Sequence, residues 1–408
     1  MDILYLNNFN YIRGGAEGVF LAEKDLMEKH GNTVHIFARQ HSNNLPSKYD
    51  RYFPREMVTD SLKPTIIGLR SLLQLFYSPG SKRCLARMLQ NVNVEVAHAH
   101  NVHSRLTTSV LDLLYEKHVP ILMTLHDYKL VCPNYKLMYS RHICEDCKEH
   151  KYFMAILNRC HKNNIVASSI VTFEAYFNHL FNKYRKNVRF FISPSIFLKH
   201  KLTEFGWPQS QIAYIPNFVD LSEFVPRYKP GQYFLYLGRL SHEKGIPTLI
   251  VAFMKIASKN ISLNVAGEGP VRKQLEIMAT ADSRIRFTGY LSGNTLKETT
   301  RNALAVIVPS EWYENAPISV LEAFAFGKPV VGARIGGIPE MIDEGVNGYL
   351  FDPGNVDDLK EKLELILSMS DKKISNMGLA ARLKAEREYN AELHYERLMD
   401  IYHRALRS

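Results

Sequence analysis

The sequence lacks any apolar run of 18 residues, so a membrane-crossing helix is not expected. It also lacks a basic stretch followed by an apolar segment and a cleavage site. The chain passes straight into Asp2-Ile3-Leu4-Tyr5-Leu6, and no secretory signal is expected. With only five Cys in 408 residues, this favours a reducing cytoplasm, where thiols or metal ligands outnumber disulfides. Low-complexity tracts and internal repeats are missing too, which excludes fibrous and solenoid architectures. Tyr and Phe number 22 and 21, but no nucleic-acid-binding motif surrounds them, so nucleic acid is not an expected partner. Finally, the C-terminal half lacks net charge. Residues 219–408 carry 24 Lys+Arg against 24 Asp+Glu, whereas residues 1–218 carry 27 against 17, the entire excess of +10. A one-sided basic excess is either a solvated face or an attraction to an anionic partner, such as a membrane surface.

What is present is an alternation of short apolar strands and amphipathic helices. Strands are expected at 2–6, 33–38, 94–99, 120–125 and 188–192, with helices at 16–30 and near 106–117. A turn-rich stretch from Pro216 to Gly231 follows, and the pattern restarts at 233–237, 261–266, 304–308 and 329–331. The expected class is α/β, with two doubly wound Rossmann-like domains facing across a cleft. The domains are expected at residues 1–218 and 219–390, with a cysteine-bearing insertion near 128–164. A last helix over 391–408 is expected to return to the first domain.

In such sheets ligands gather where strands end and helices begin. There stands Gly238-Arg239-Leu240-Ser241-His242-Glu243-Lys244-Gly245, whose planar guanidinium and mobile ammonium suit a diphosphate leaving group. Gly267-Glu268-Gly269-Pro270 has the glycines that allow close backbone approach to a ligand, and a following helix start that attracts anions. Glu314-Asn315-Ala316-Pro317-Ile318-Ser319-Val320-Leu321-Glu322 sets two carboxylates eight residues apart around a helix start. A carboxylate accepts hydrogen bonds from vicinal sugar hydroxyls, and the first amides of the helix suit phosphate oxygens. Taken singly, the first motif reads equally well as a solvated turn, the second resembles many strand–helix turns, and each Glu alone is more often a surface residue.

As an ordered series these motifs resemble something specific. Gly-Arg-x4-Lys-Gly, Gly-Glu-Gly-Pro, Phe287-Thr288-Gly289, Pro309-Ser310-Glu311 leading into Glu-x7-Glu, and Gly332 to Glu340 are similar to retaining glycosyltransferases of family four, with the GT-B fold. Gly14-Gly15-Ala16-Glu17 and Leu125-His126-Asp127 extend the resemblance into the first half. His30-Gly31 departs from the family's Gly-His order at a structural position. The resemblance implies that Arg239 and Lys244 bind the donor diphosphate and Glu322 the ribose. Glu314 would take donor-sugar hydroxyls, with Gly238, Gly267, Gly269 and the stretch Asn315, Ala316, Pro317, Ile318 around the nucleotide. Gly15 would lie by the diphosphate, His126 by the sugar, and Phe287, Thr288 and Gly289 by the nucleobase. The partner implied is a nucleotide-diphosphate sugar. No motif demands a cofactor for catalysis, and a front-side transfer needs no covalent nucleophile. A buried structural His126 is the other reading of that residue. A sugar phosphorylase, a nucleotide-sugar epimerase or a non-catalytic scaffold are the other readings of the fold.

Two features fall outside this series. Cys132, Cys144, Cys147 and Cys160 lie in one window and suit a structural zinc site or four plain thiols. The apolar periodicity of 165–181, flanked by Lys162, Lys183, Arg185, Lys186 and Arg189, suits a core helix or an in-plane membrane helix. With His100 and Asn101 at a strand end as candidate acceptor contacts, the basic half points to a glycan or lipid-linked glycan acceptor. The expected setting is peripheral, on the inner face of the cell membrane, in polysaccharide biosynthesis.

Overall fold

Runs such as Ile3-Leu4-Tyr5-Leu6 and Ala305-Val306-Ile307-Val308 carry no polar alternation, the mark of strands covered on both faces of a parallel sheet. The computed structural model describes residues 1–56 and 74–407. In it these runs become β1 (Asp2–Leu6), β2 (Thr33–Phe37), β3 (Val96–Ala99), β4 (Ile121–Thr124), β5 (Met138–Tyr139), β6 (His142–Ile143), β7 (Phe190–Ser193) and β8 (Ile212–Tyr214). The second series is β9 (Tyr233–Leu237), β10 (Ser262–Ala266), β11 (Ile285–Gly289), β12 (Ala305–Val308), β13 (Val330–Ala333) and β14 (Gly348–Phe351). The chain forms two units: Met1–Tyr139 with Cys144–Ile215 and Tyr395–Ser408, and Ser140–Ile143 with Pro216–His394.

The first unit has a six-stranded sheet in the order β2-β1-β3-β4-β7-β8. Every pairing in it is parallel. Its topological switch lies between β1 and β3, so the segments after those two strands diverge and leave a crevice. The helix Ala391–Arg407 supplies Tyr402 to this unit's core, where its hydroxyl meets Tyr5 at 3.1 Å and His98 Nδ1 at 2.7 Å.

The second unit's order is β11-β10-β9-β12-β13-β14, again all parallel. Counted within the unit this is 3-2-1-4-5-6, the doubly wound order whose switch falls between its first and fourth strands, β9 and β12. Phe234, Leu235, Phe253, Val306 and Phe324 are wholly buried around that switch, each contributing roughly 2 kcal/mol of apolar burial.

The helix Ile165–Leu180 inverts the usual pattern. Ser168, Thr172, Glu174 and Asn178 are its buried residues. Val166, Phe173 and Leu180, seven residues apart on one stripe, are 64%, 62% and 75% exposed. Its apolar stripe is therefore not packed into the core, because the inward face is occupied by polar groups that have partners. Glu174 takes an ion pair from Lys129 at 2.8 Å, and Asn178 accepts from Thr108 at 3.0 Å.

Candidate functional site

In the second unit the site is built where β9 and β12 end. Gly238 and Gly267 take φ of 151° and 143°, and Gly245 takes 65°, values that L side chains rarely adopt. The nearest neighbours of Gly245 and Gly267 are other loops. A Cβ on Gly267 would collide with the Gly238 carbonyl, one on Gly269 with the Leu240 carbonyl, and one on Gly245 with the Pro309 carbonyl. The glycines thus stack the post-strand loops on one another. Glu311 N–H donating to Glu243 O at 2.9 Å completes the stack. The sequence reading assigned Gly267 and Gly269 to close ligand approach; in the structure their missing side chains accommodate the neighbouring loop.

Upon this platform Lys244 Nζ meets Glu314 Oε1 at 2.5 Å, and the Ser310 hydroxyl donates to the same oxygen at 2.6 Å. Glu314 is 6% exposed. Burial pushes its carboxyl up, but the adjacent Lys244 charge and the bonds from Lys244 and Ser310 outweigh this and hold it below the ordinary carboxylate value. Lys244 also lies 5.3 Å from the Trp312 ring centroid. Gly336, at φ 62°, fits against the Glu314 backbone where a Cβ would not, and Gly337 N–H donates to Glu314 O at 2.8 Å. That explains the Gly336-Gly337 pair, which the sequence showed without a role. The Ser310 hydroxyl was likewise visible only as part of a motif.

Around the pair are groups held ready for a ligand. Arg239 is exposed and makes no ion pair among the described residues. The helix Ile318–Ala325 starts after Pro317 with no side chain capping it, leaving its first amides open to an anion. Asn217 Nδ2 donates to Ala316 O at 3.1 Å and fixes the approach to that helix. Glu322, half-buried in the same helix, has no ionic partner among the described residues. Burial alone pushes its carboxyl up to about 7. Phe287 packs on the core, Thr288 is exposed, and Gly289 O accepts from Gly267 N at 2.7 Å, so β11 sits beside the Gly267 loop. The arrangement combines cationic groups, free helix amides and an unpaired carboxylate, the groups that diphosphate and sugar hydroxyls require.

In the first unit Gly15 opens the helix Gly15–Lys29 and is exposed; Gly14 precedes it in extended conformation, with no capping side chain. His126, after β4, shares a 2.9 Å hydrogen bond between its Nε2 and His100 Nδ1. Behind it runs a chain of buried polar groups. Glu23 lies 3.4 Å from His100 Nε2 and 3.0 Å from His98 Nδ1, and accepts from Tyr5 at 2.9 Å. His98 Nε2 meets Thr124 at 2.7 Å. Here the acceptor assignment of His100 is corrected: the residue is fully buried between Tyr5, Phe20 and His126, and it supports His126 from behind. Asn101 keeps partial exposure, with its amide bonded to Asn7 Oδ1 at 3.0 Å. The sequence displayed His98 and His100 as strand-end residues. Nothing in it joined them to Glu23 and Tyr402, which are 75 and 304 positions from His98.

Burial, with His100 next to it, lowers His126 to about 3, so its imidazole is neutral at physiological pH and acts by hydrogen bonding. Burial also raises the Asp127 carboxyl to about 6, against the opposing bond from the Lys129 amide at 2.9 Å.

Two family profiles match this chain: Glycosyltransferase Family 4 over residues 13–223, and Glycosyl transferases group 1 over residues 220–384. An uncharacterized glycosyltransferase of Methanocaldococcus jannaschii is 38% identical over 138 residues, 33% of this chain and 35% of that protein. The amylovoran biosynthesis glycosyltransferase AmsK of Erwinia amylovora is 28% identical over 221 residues, 50% of this chain and 54% of that protein. The matches therefore span between a third and about half of these relatives' lengths. The solved structure of Anabaena HepE in complex with UDP and glucose superposes with a TM-score of 0.66 at 17% identity, covering 98% of this chain and 99% of that one. That likeness establishes the fold, two Rossmann-like α/β units of the GT-B class.

His126 has its ordinary value of 6.5 displaced downward, so its contribution to stability is intact above pH 6.5 and is lost as pH falls toward 3. The His126 ring resonances, assigned by comparison with His126→Gln, should stay constant from pH 8 to about pH 5. A full titration step centred near 6.5 would show that the imidazole is solvated and the buried network is wrong.

Proposed function

The chain belongs to glycosyltransferase family 4, and on that footing we propose that it is a hexosyltransferase-type enzyme. It moves a sugar from a nucleoside-diphosphate sugar to a glycan hydroxyl, with retention of anomeric configuration. The observation that carries this reading is the Lys244–Glu314 pair set beside an unpaired Arg239 and the uncapped helix Ile318–Ala325. The donor diphosphate lies against Arg239, Lys244 and the amides of Ile318 and Ser319, which stabilise the charge of the leaving group without a metal. Glu322 accepts hydrogen bonds from the ribose hydroxyls. Entry of the phosphates draws Lys244 from Glu314, whose carboxylate is then available to donor-sugar hydroxyls. Neutral His126 hydrogen-bonds the transferred sugar. Anabaena HepE, of the same fold, is described with UDP and glucose, which supports a nucleotide-sugar donor.

Transfer should be assayed with a panel of nucleotide sugars and the product's anomeric configuration read by NMR. Arg239→Ala should lower turnover by about 10²-fold, the scale for losing one charge-stabilising donor. Because the Arg239 side chain is exposed and makes no ion pair among the described residues, misfolding does not confound this variant. Glu322→Gln should weaken nucleoside-diphosphate affinity about tenfold or more, the worth of a hydrogen bond to a charged group. Near-normal values for both variants refute the site. Phosphorolysis or epimerisation without transfer would favour the sister activities of the fold, and binding without turnover a scaffold.

The acceptor reading rests on the helix Ile165–Leu180. Its exposed Val166, Phe173 and Leu180 stripe has exposed Lys162, Lys186 and Arg189 nearby in sequence, the make-up of a surface helix on an anionic bilayer. Lys183 and Arg185, which the sequence added to this group, are engaged internally, with Asp112 at 2.7 Å and with the Gly206 carbonyl at 2.6 Å. We infer a peripheral enzyme whose acceptor is lipid-linked. The name of AmsK, a glycosyltransferase of amylovoran biosynthesis, supports a role in polysaccharide assembly. The protein should co-sediment with anionic vesicles, less so at high salt, and Phe173→Ser with Leu180→Ser should abolish this. No binding, or equal binding to neutral vesicles, would mean that the stripe and the charge serve something else.

A further inference from the structure

We propose that Cys132, Cys144, Cys147 and Cys160 form a structural zinc site that fixes the segment following His126. Cys132 and Cys147 are buried and Cys144 and Cys160 half-buried, while Cys84, the fifth, lies apart in the helix Pro79–Met88. Each of the four is in electrostatic reach of the others: Cys147 of Cys132, Cys160 and Cys144, and Cys160 of Cys132 and Cys144. Around Cys132 the loop is ordered by Asn134, whose Oδ1 accepts from the Cys132 thiol at 2.9 Å and from the Lys136 amide at 3.0 Å.

The backbone supplies a second, independent argument. Thirteen non-glycine residues among those described have positive φ, and nine of them lie between Tyr135 and Asn163: Tyr135, Leu137, Ser140, Arg141, Glu149, His150, Arg159, Lys162 and Asn163. Such conformations cost on the order of 1 kcal/mol each and persist only where the surroundings over-determine them. Packing does not do so here. Between Tyr135 and Asn163 the buried apolar side chains are only Leu137, Cys147, Tyr152 and Ala155 among the described residues. A segment this poor in apolar burial is one that a covalent or metal staple would stabilise, and all four thiols are free rather than disulfide-bonded.

Four thiolates in a closed set suit tetrahedral zinc. Binding displaces four thiol protons to solvent and leaves a site of net charge −2, with Lys129 nearby as a counter-charge. No three of the four sulfurs lie within 4.8 Å of one another, wider than coordination spacing. Among the described residues only Glu23, His98 and His100 bring three donor atoms within 4.8 Å of one another, so zinc must draw the thiols inward. The Glu23 cluster is the weaker metal candidate, because both His98 nitrogens already have hydrogen-bond partners. The gain is positional. Lys129, just after His126 and Asp127, bonds Asp127 through its amide and Glu174 through its ammonium, and the cysteine segment begins three residues further on.

The test uses the full chain purified without chelator. Elemental analysis should find about one zinc per chain, with X-ray absorption giving four sulfur neighbours at about 2.3 Å. Cys147→Ser should lower the zinc content at least tenfold, and Cys84→Ser should leave it unchanged. Should the Cys147 variant not fold, the wild-type stoichiometry and sulfur shell decide alone. Zinc below a tenth of an equivalent, with all five thiols reacting at once with a thiol reagent in the native protein, would overturn the proposal. Iron with visible absorption in place of zinc would do so as well.

Discussion

A buried carboxylate and a lysine ammonium 2.5 Å apart hold together the ends of two central strands, and most of the second unit's site depends on that contact. Glu314 stays ionised despite its burial because Lys244 and Ser310 meet it. Lys244 reaches it because the Gly238–Gly245 loop lies flat on the loops after β10 and β12. That flatness rests on glycines whose absent Cβ atoms leave room for neighbouring carbonyls. Breaking one partner of such a pair leaves the other charge buried and uncompensated, which costs more than the pair contributes when intact. A ligand that offers its own anionic oxygens to Lys244 avoids that cost, since it replaces the carboxylate as the lysine's partner.

The two units use their switch points differently. Among the described residues the second leaves Arg239 and Glu322 without ionic partners and the helix Ile318–Ala325 without a side-chain cap. The first joins polar groups to one another: Glu23, His98, His100, Tyr5 and Tyr402 form a buried network that ends at His126. Such a network rigidifies its last member. A neutral histidine held in place offers a hydrogen bond of fixed direction and no charge.

Much of this was legible in the sequence. The strands at the core, β1, β3, β4, β9 and β12, were visible as apolar runs, and the Arg239–Lys244 and Glu314–Glu322 spacings placed the site. Edge strands such as β8 and β14 were not, because Ile212-Ala213-Tyr214 and Gly348–Phe351 are short and carry no distinctive period. The unit boundary falls at Ile215 and Pro216, close to the turn-rich stretch that marked it. The buried network was illegible because its members are joined only by the fold, with Tyr402 arriving from the far end of the chain. The exposed stripe of Ile165–Leu180 was misleading for the opposite reason. Periodicity reveals which residues share a face, and only the polar partners on the other face decide which side is buried.

The central claim is that the second unit's loops bind a nucleoside diphosphate, and a crystal structure of the protein with its preferred nucleoside diphosphate tests it most directly. The account predicts the diphosphate between Arg239, Lys244 and the amides of Ile318 and Ser319, the ribose hydroxyls on Glu322, and Lys244 Nζ shifted from Glu314 toward a phosphate oxygen. A nucleotide bound elsewhere, or bound here with its phosphates in solvent and the Lys244–Glu314 contact unchanged at 2.5 Å, would contradict it.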